Sequence, residues 1–258
     1  MKLRSKFIFI LLIGGFATVL SIFLLSNLFI KSNALKIENM LARKDVERVH
    51  SALSNYQQAI HLLNKDWGFW DDSYKFVEDL NEGYVKSNLM EATFDQLRMN
   101  FIAFYDLKGN FKYGKFYDLK NKEFIPFPKS IEQRITSEIK ALRTETAKEG
   151  ASGIICANSD HLIISLRPIL KSDYTGPSRG TIVMGFYFTQ ADIDKLAKST
   201  NLQLTFYSIV DINKDNKLRN AFLHLMQGTD PYITTESNQL ITSLYLDQRH
   251  QRQTHWYF

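Results

Sequence analysis

Asp66, Asp71 and Asp72 stand among Trp67, Trp70 and Tyr74 in the run Asp66-Trp67-Gly68-Phe69-Trp70-Asp71-Asp72-Ser73-Tyr74. Carboxylates this close together are the raw material of general acid–base hydrolysis or of a hard-cation site. Helical geometry argues against both. At about 100° per residue, Trp67, Trp70 and Tyr74 share one face, with Asp66 and Asp71 roughly 70° to either side and Asp72 nearly opposite. The aromatics then read as core. The two flanking carboxylates read as groups at the core's edge that need hydrogen-bond partners, a clamp before a catalytic pair. A periplasmic hydrolase using Asp66 and Asp71 is the rival, and no nucleophile or cofactor motif accompanies it.

Other chemistry is sparse. None of His50, His61, His161, His224, His250 and His255 forms an HxxxH pair. His50 and His61 share a helix face but sit about 16 Å apart along it, too far for one ion. We expect neither metal nor cofactor. No G-x-S-x-G is present, and Gly176-Pro177-Ser178-Arg179-Gly180 reads as a turn between strands rather than a phosphate loop. The lone Cys156 excludes an internal disulfide and reads as a small core residue. Arg167, at the end of an apolar strand, must meet an anion from the protein or a ligand, and Asp66, Asp71 and Asp106 are the candidates. If a pocket exists, Asp66, Trp67, Trp70, Asp71, Tyr74 and Arg167 are the side chains expected to form it.

These residues need elements to position them. Phe7–Ile30 carries no charge and, as a helix of about 36 Å, suffices to cross a bilayer. Lys2, Arg4 and Lys6 precede it, placing residues 1–6 in the cytoplasm and those after about 31 outside a bacterial or archaeal cell membrane. Ser32-Asn33-Ala34 would suit a signal-peptide cleavage site, but the apolar run is longer than such peptides use. The 258 residues carry 32 basic and 27 acidic side chains, and the excess lies largely in those three N-terminal cations. With no basic stripe and an external location, nucleic acid is excluded as a partner.

Leu35, Ala42, Val46, Val49, Leu53, Tyr56, Ile60 and Leu63 keep a heptad rhythm, so residues 31–65 are expected to form one long signalling helix. We assign Leu35, Ala42, Val46, Val49 and Leu53 to a homodimer seam and the later positions to the core of the same chain. Beyond it, Phe101–Asp106 and Phe111–Tyr117 form a hairpin, Lys129–Ala147 a helix, and Ile154–Ala157, Leu162–Arg167 and Thr181–Phe188 strands. Ala191–Ser199 reads as a helix and Leu202–Ile209 as a strand. The fold class is α+β: a long N-terminal helix on an antiparallel, PAS-like sheet, preceded by one transmembrane helix. An anchored coiled-coil scaffold without a ligand is the structural alternative.

The segment from Asp66 to Val77, followed by Tyr84-Val85-x-Ser87-Asn88-Leu89, resembles the signature of the CHASE family of extracellular sensory domains, type four. Asp106-Leu107-Lys108-Gly109, Pro126-Phe127-Pro128, Arg167-Pro168-Ile169-Leu170 and Gly176–Gly185 follow in the family's order. Gly68 and Ser73 replace the usual Ala and Thr, and Phe186 stands where an arginine often follows Met-Gly. The resemblance implies an extracytoplasmic, Cache-like sensory module over residues 66–209, with a small-molecule ligand and no catalytic activity. It also implies an output domain, a histidine kinase or a cyclic-di-GMP cyclase or phosphodiesterase, beyond a second membrane helix. The chain ends at Phe258 without either, so residues 210–258 read as the remainder of a truncated receptor.

Overall fold

In the computed structural model, which describes residues 3–142, 150–227, 232–236 and 239–243, one helix, α1, runs from Leu3 to Gly68. Its stretch Ile8–Asn27 has a hydropathy of 2.7 and is long and apolar enough to cross a membrane. Two polar side chains there bond back onto their own helix: Thr18 Oγ1 donates to the Gly15 carbonyl at 2.8 Å, and Asn27 Nδ2 to that of Phe23 at 3.1 Å. The described residues divide into two compact units, one drawn from residues 3–47, 232–236 and 239–243, the other from 48–142 and 150–227. The first holds the N-terminal part of α1 and a two-stranded hairpin, Tyr232–Glu236 with Gln239–Ser243.

In the second unit, three short helices follow α1: α2 (Asp71–Asp79), α3 (Glu82–Asn88) and α4 (Glu91–Leu97). Strands β1 (Phe101–Tyr105), β2 (Phe111–Asp118) and β3 (Glu123–Ile125) come next, then α5 (Lys129–Leu142). Strands β4 (Ala151–Ala157), β5 (Asp160–Pro168) and β6 (Thr181–Tyr187) complete one antiparallel sheet in the order β3-β2-β1-β6-β5-β4. Helices α6 (Gln190–Thr200), α7 (Ile209–Ile212) and α8 (Asn216–Gln227) close the unit.

The two-residue period of the strands divides the core in two. Ile102, Phe104, Ile163, Ile182 and Met184 face a cluster with Leu53, Ile60, Phe76 and Tyr84 from the helices. Phe101, Ala103, Ile164 and Val183 face the other way, onto Ile131, Ile135 and Ile139. Those isoleucines recur every four residues, so α5 lays one apolar stripe across the sheet. β1, in the interior of the sheet, is buried along its whole length.

Several expectations need correction. The seam assigned to a dimer is partly the chain's own: Leu53 is 2% exposed inside the first cluster and Val49 packs against it. Ala42 is buried as well, whereas Val46 is half-buried. Leu35 lies in α1, but its side chain is outside the described residues. The strand expected over Leu202–Ile209 is absent. Leu204 and Phe206 do pack on the core, yet no ladder pairs the segment. The helix expected to reach Ala147 is described to Leu142, and much of the C-terminal remainder lies outside the described residues.

Candidate functional site

The segment Asp66–Tyr74 is not one helix. α1 ends at Gly68, and Trp70 is extended (φ −128°, ψ 129°) before α2 begins. The reason lies in what crosses it. A Cβ on Gly68 would sit 2.8 Å from Arg167 Cγ and 3.2 Å from the Pro168 carbonyl oxygen, and the Gly68 carbonyl accepts the Leu170 N–H at 2.9 Å. The strand end after β5 thus replaces the next helical turn. The helical-wheel placement of Asp66 and Asp71 either side of the aromatics fails with the break, and both carboxylates are exposed. The aromatics still converge: Trp67 and Trp70 meet edge to face at 6.0 Å, and Trp70 packs on Tyr84 at 5.9 Å. Tyr84 stacks on Phe76 at 4.3 Å and shares a 2.8 Å hydrogen bond with Ser73, while burial pushes its phenol pKa up.

Asp71 and Tyr74 work as fasteners. Asp71 Oδ1 accepts the Ser172 N–H at 3.1 Å, and the Asp71 N–H donates to Ser172 Oγ at 3.2 Å. Tyr74 Oη donates to the Pro177 carbonyl at 3.1 Å, and the Arg179 guanidinium lies 3.9 Å over the Tyr74 ring. Arg179 also pairs with Glu78 at 2.8 Å. Tyr174 sets its edge against Phe69 at 4.8 Å. The exposed connection from β5 to β6 is therefore strapped along α2. The clamp expected of Asp71 is present, and its partner is a backbone–hydroxyl pair rather than Arg167. Asp106 is engaged in its own hairpin turn, accepting from the Lys108 and Asn110 N–H groups at 2.7 and 2.8 Å.

Arg167 points elsewhere. It is 3% exposed, its guanidinium stands 5.1 Å over the Phe69 ring, and Nη2 donates to His61 Nε2. Guanidinium has only donors, so His61 must accept at Nε2 and carry its proton on Nδ1. Burial first, then the positive charges of Arg167 and Lys65, lower the His61 pKa to about 4, so the ring is neutral at pH 7. One turn further along α1, Asn64 Nδ2 donates to the Ser165 carbonyl at 2.8 Å, to Ser165 Oγ at 3.1 Å and to the Ile182 carbonyl at 3.4 Å. Gln57, His61 and Asn64 thus line one helix face against β5, and Ser152 sits opposite Ser165 on β4. The result is a buried polar seam in which Gln57 Oε1, His61 Nδ1, Asn64 Oδ1 and Ser152 Oγ have no partner among the described residues.

Of the six side chains expected to form a pocket, Arg167 alone enters this seam. Trp67 and Trp70 pack in the neighbouring core, Asp71 and Tyr74 hold the strap, and Asp66 faces solvent. Sequence reasoning missed Gln57, Asn64 and Ser152, and weighed His61 only as a metal partner of His50. The available signal was a polar triplet at helical spacing, running beside the apolar stripe Tyr56, Ile60 and Leu63. Among the described residues no three His, Cys, Asp or Glu side chains gather as ligands for a metal ion.

The second unit is thus a helix-backed, six-stranded antiparallel sheet with an aromatic Asp-Trp motif at the end of its long helix. The CHASE4 domain model matches residues 52–207, and the chain belongs to that family. A methanogenesis regulatory histidine kinase, FilI of Methanothrix harundinacea (strain 6Ac), is 24% identical over 196 residues, which are 74% of this chain. The chain spans 22% of that kinase's length. A solved extracellular domain assigned to the histidine kinase vpHK1S-Z8 superposes with a TM-score of 0.51 at 14% identity, covering 82% of this chain and 86% of its own. A solved domain assigned to a sensory box/GGDEF family protein of Vibrio parahaemolyticus gives a TM-score of 0.45 at 14% identity, over 68% of this chain and 66% of its own.

Proposed function

We infer that this chain is the membrane-anchored, extracytoplasmic sensory part of a signal-transduction receptor that responds to a small molecule. One observation carries the reading: the family match over residues 52–207 begins within α1, the same helix that contains the apolar span Ile8–Asn27. Lys2, Arg4 and Lys6 before the span favour a cytoplasmic N-terminus and an external sensory domain. The likeness to a histidine kinase makes a phosphotransfer output the first reading for the receptor, with a cyclic-di-GMP enzyme second. The sensory domain has no catalytic role of its own. The use of Asp71 as a fastener and the solvent exposure of Asp66 favour that over a hydrolase.

The receptor works as a homodimer, and its pairing surface on α1 differs from the heptad stripe. Ile37, Met40 and Leu41 are each 50% exposed or more, whereas Leu53 is taken by the chain's own core. A reporter phosphatase that folds only outside the cytoplasm, fused after residue 258, tests the topology. It should be active there and inactive when fused before Met1, and the reverse pattern would overturn the orientation. Fractionated extracellular extract should raise the melting temperature of the full chain in nanodiscs, and no rise with any fraction would count against sensing.

A further inference from the structure

The seam between α1 and strands β4 and β5 has a composition that selects its own occupant, and the following rests on the sensory reading above. Asn64 is 0% exposed, Ser152 1% and Gln57 8%, and each holds a polar atom without a partner among the described residues. Leaving a buried polar atom unpaired is costly, so a fold does not keep several together unless something else satisfies them. Their polarities can be read from their surroundings. Asn64 Nδ2 faces two carbonyl oxygens, which cannot donate, so Oδ1 is the free end and a pure acceptor. His61 Nδ1 is a donor, because Nε2 accepts from Arg167. Ser152 offers a hydroxyl that can do either, and Gln57 a carboxamide one turn before His61.

All four groups are uncharged at neutral pH. The cation at the seam, Arg167, is already engaged by His61 and stacked on Phe69. A buried anion or cation arriving here would not find a dedicated counter-charge among these four groups, and burying an unpaired ion is costly. Both donors and acceptors stand in the seam, so an occupant needs both kinds of group of its own. We propose that this seam, built from Gln57, His61, Asn64 and Ser152, is the binding site for a small uncharged ligand rich in hydroxyl or amide groups. His61 is only half-buried, so the route from solvent runs past its imidazole.

The test is thermal melting and calorimetry of the full chain in nanodiscs. The uncharged probes are ribose, glucose, myo-inositol, glycerol, acetamide and urea. Acetate and methylammonium are the charged controls. Low-millimolar concentrations keep general solute effects on stability small. At least one uncharged probe should bind saturably, raising Tm by roughly 5–10 °C at about a hundred times its Kd. Two variants are expected to fold, because each removes an atom that has no partner: Ser152→Ala and Gln57→Met. Each should weaken that probe at least about fivefold, while Asp66→Asn, outside the seam, should leave it unchanged.

Saturable binding that survives both seam variants would overturn the site. Binding confined to acetate or methylammonium would overturn the ligand class and leave the sensory reading intact. No binding by any probe, together with a Tm rise from extracellular extract that both variants retain, would overturn the seam alone. If neither probes nor extract raise Tm, the sensory reading falls with it.

Discussion

His61 is held neutral where most surface histidines would begin to charge. Its pKa is about 4 in the folded chain against about 6.5 when unfolded, so the unfolded state binds the proton more readily. The stability His61 contributes is therefore complete above pH 6.5 and is lost as pH falls from there to about 4. Because the ring is only half-buried, solvent screening trims the effect, and a loss of about 1–2 kcal/mol is expected. Urea unfolding at pH 7 and pH 4.5 measures it, and His61→Gln should flatten that part of the slope. Gly68 is a second test at this scale. An added methyl meets Arg167 Cγ and the Pro168 carbonyl, so Gly68→Ala should cost about 1–3 kcal/mol through overpacking. Melting the variant beside Arg167→Ala and Gly68→Ala/Arg167→Ala, which lack the Cγ that the methyl meets, would show how much of the cost is the clash with Arg167.

Among the elements, the strap between β5 and β6 is the one whose hold can be loosened without touching the core. Asp71→Ala removes the carboxylate that accepts from Ser172, and Arg179→Ala removes both the ring contact on Tyr74 and the pair with Glu78. Both should leave global stability within about 1 kcal/mol, since these contacts are largely exposed. Cleavage by trypsin at Lys171 should quicken several-fold, because proteolysis follows the local opening equilibrium. Unchanged cleavage would mean that the apolar contact of Tyr174 with Phe69 alone holds the loop. The outline of these elements was legible in sequence because periodicity reports burial. Five strands of the sheet and helices α5 and α6 were all anticipated within a few residues. The break after Gly68 was not, because Trp67, Trp70 and Tyr74 keep helical spacing whether or not the helix continues. The seam was hidden for a related reason. Gln57, His61 and Asn64 lie beside the apolar stripe, and a polar residue there looks solvent-facing until a strand is seen to cover it. The short β3 and the unpaired segment before α7 turn on strand partners, which no local pattern records.

At the scale of the whole molecule, the proposed dimer is tested through the face of α1 it would use. With Cys156 replaced by alanine, Ile37→Cys and Leu41→Cys should form disulfide-linked dimers in membranes on mild oxidation. Leu53→Cys should not, because that side chain is in the core. Cross-linking at Leu53 in preference to Ile37 would restore the heptad stripe as the seam. The order of the strands has a further consequence, for how the chain comes to be folded at all. β1 pairs with β2 and β4 with β5 through short local turns, but the two halves of the sheet meet along the β1–β6 ladder, where Phe101 to Tyr105 align with Gly185 to Thr181. Closing that long loop is slow relative to forming either hairpin. Until β6 arrives, the apolar side of α1 around Leu53 and Ile60 has no sheet to cover it, though α1 is synthesised first. In the anchored receptor proposed above, a newly made molecule would be held by its N-terminal span with that apolar helix side still bare. Its main kinetic hazard is association with a neighbour in the same condition, before the sheet has zipped shut.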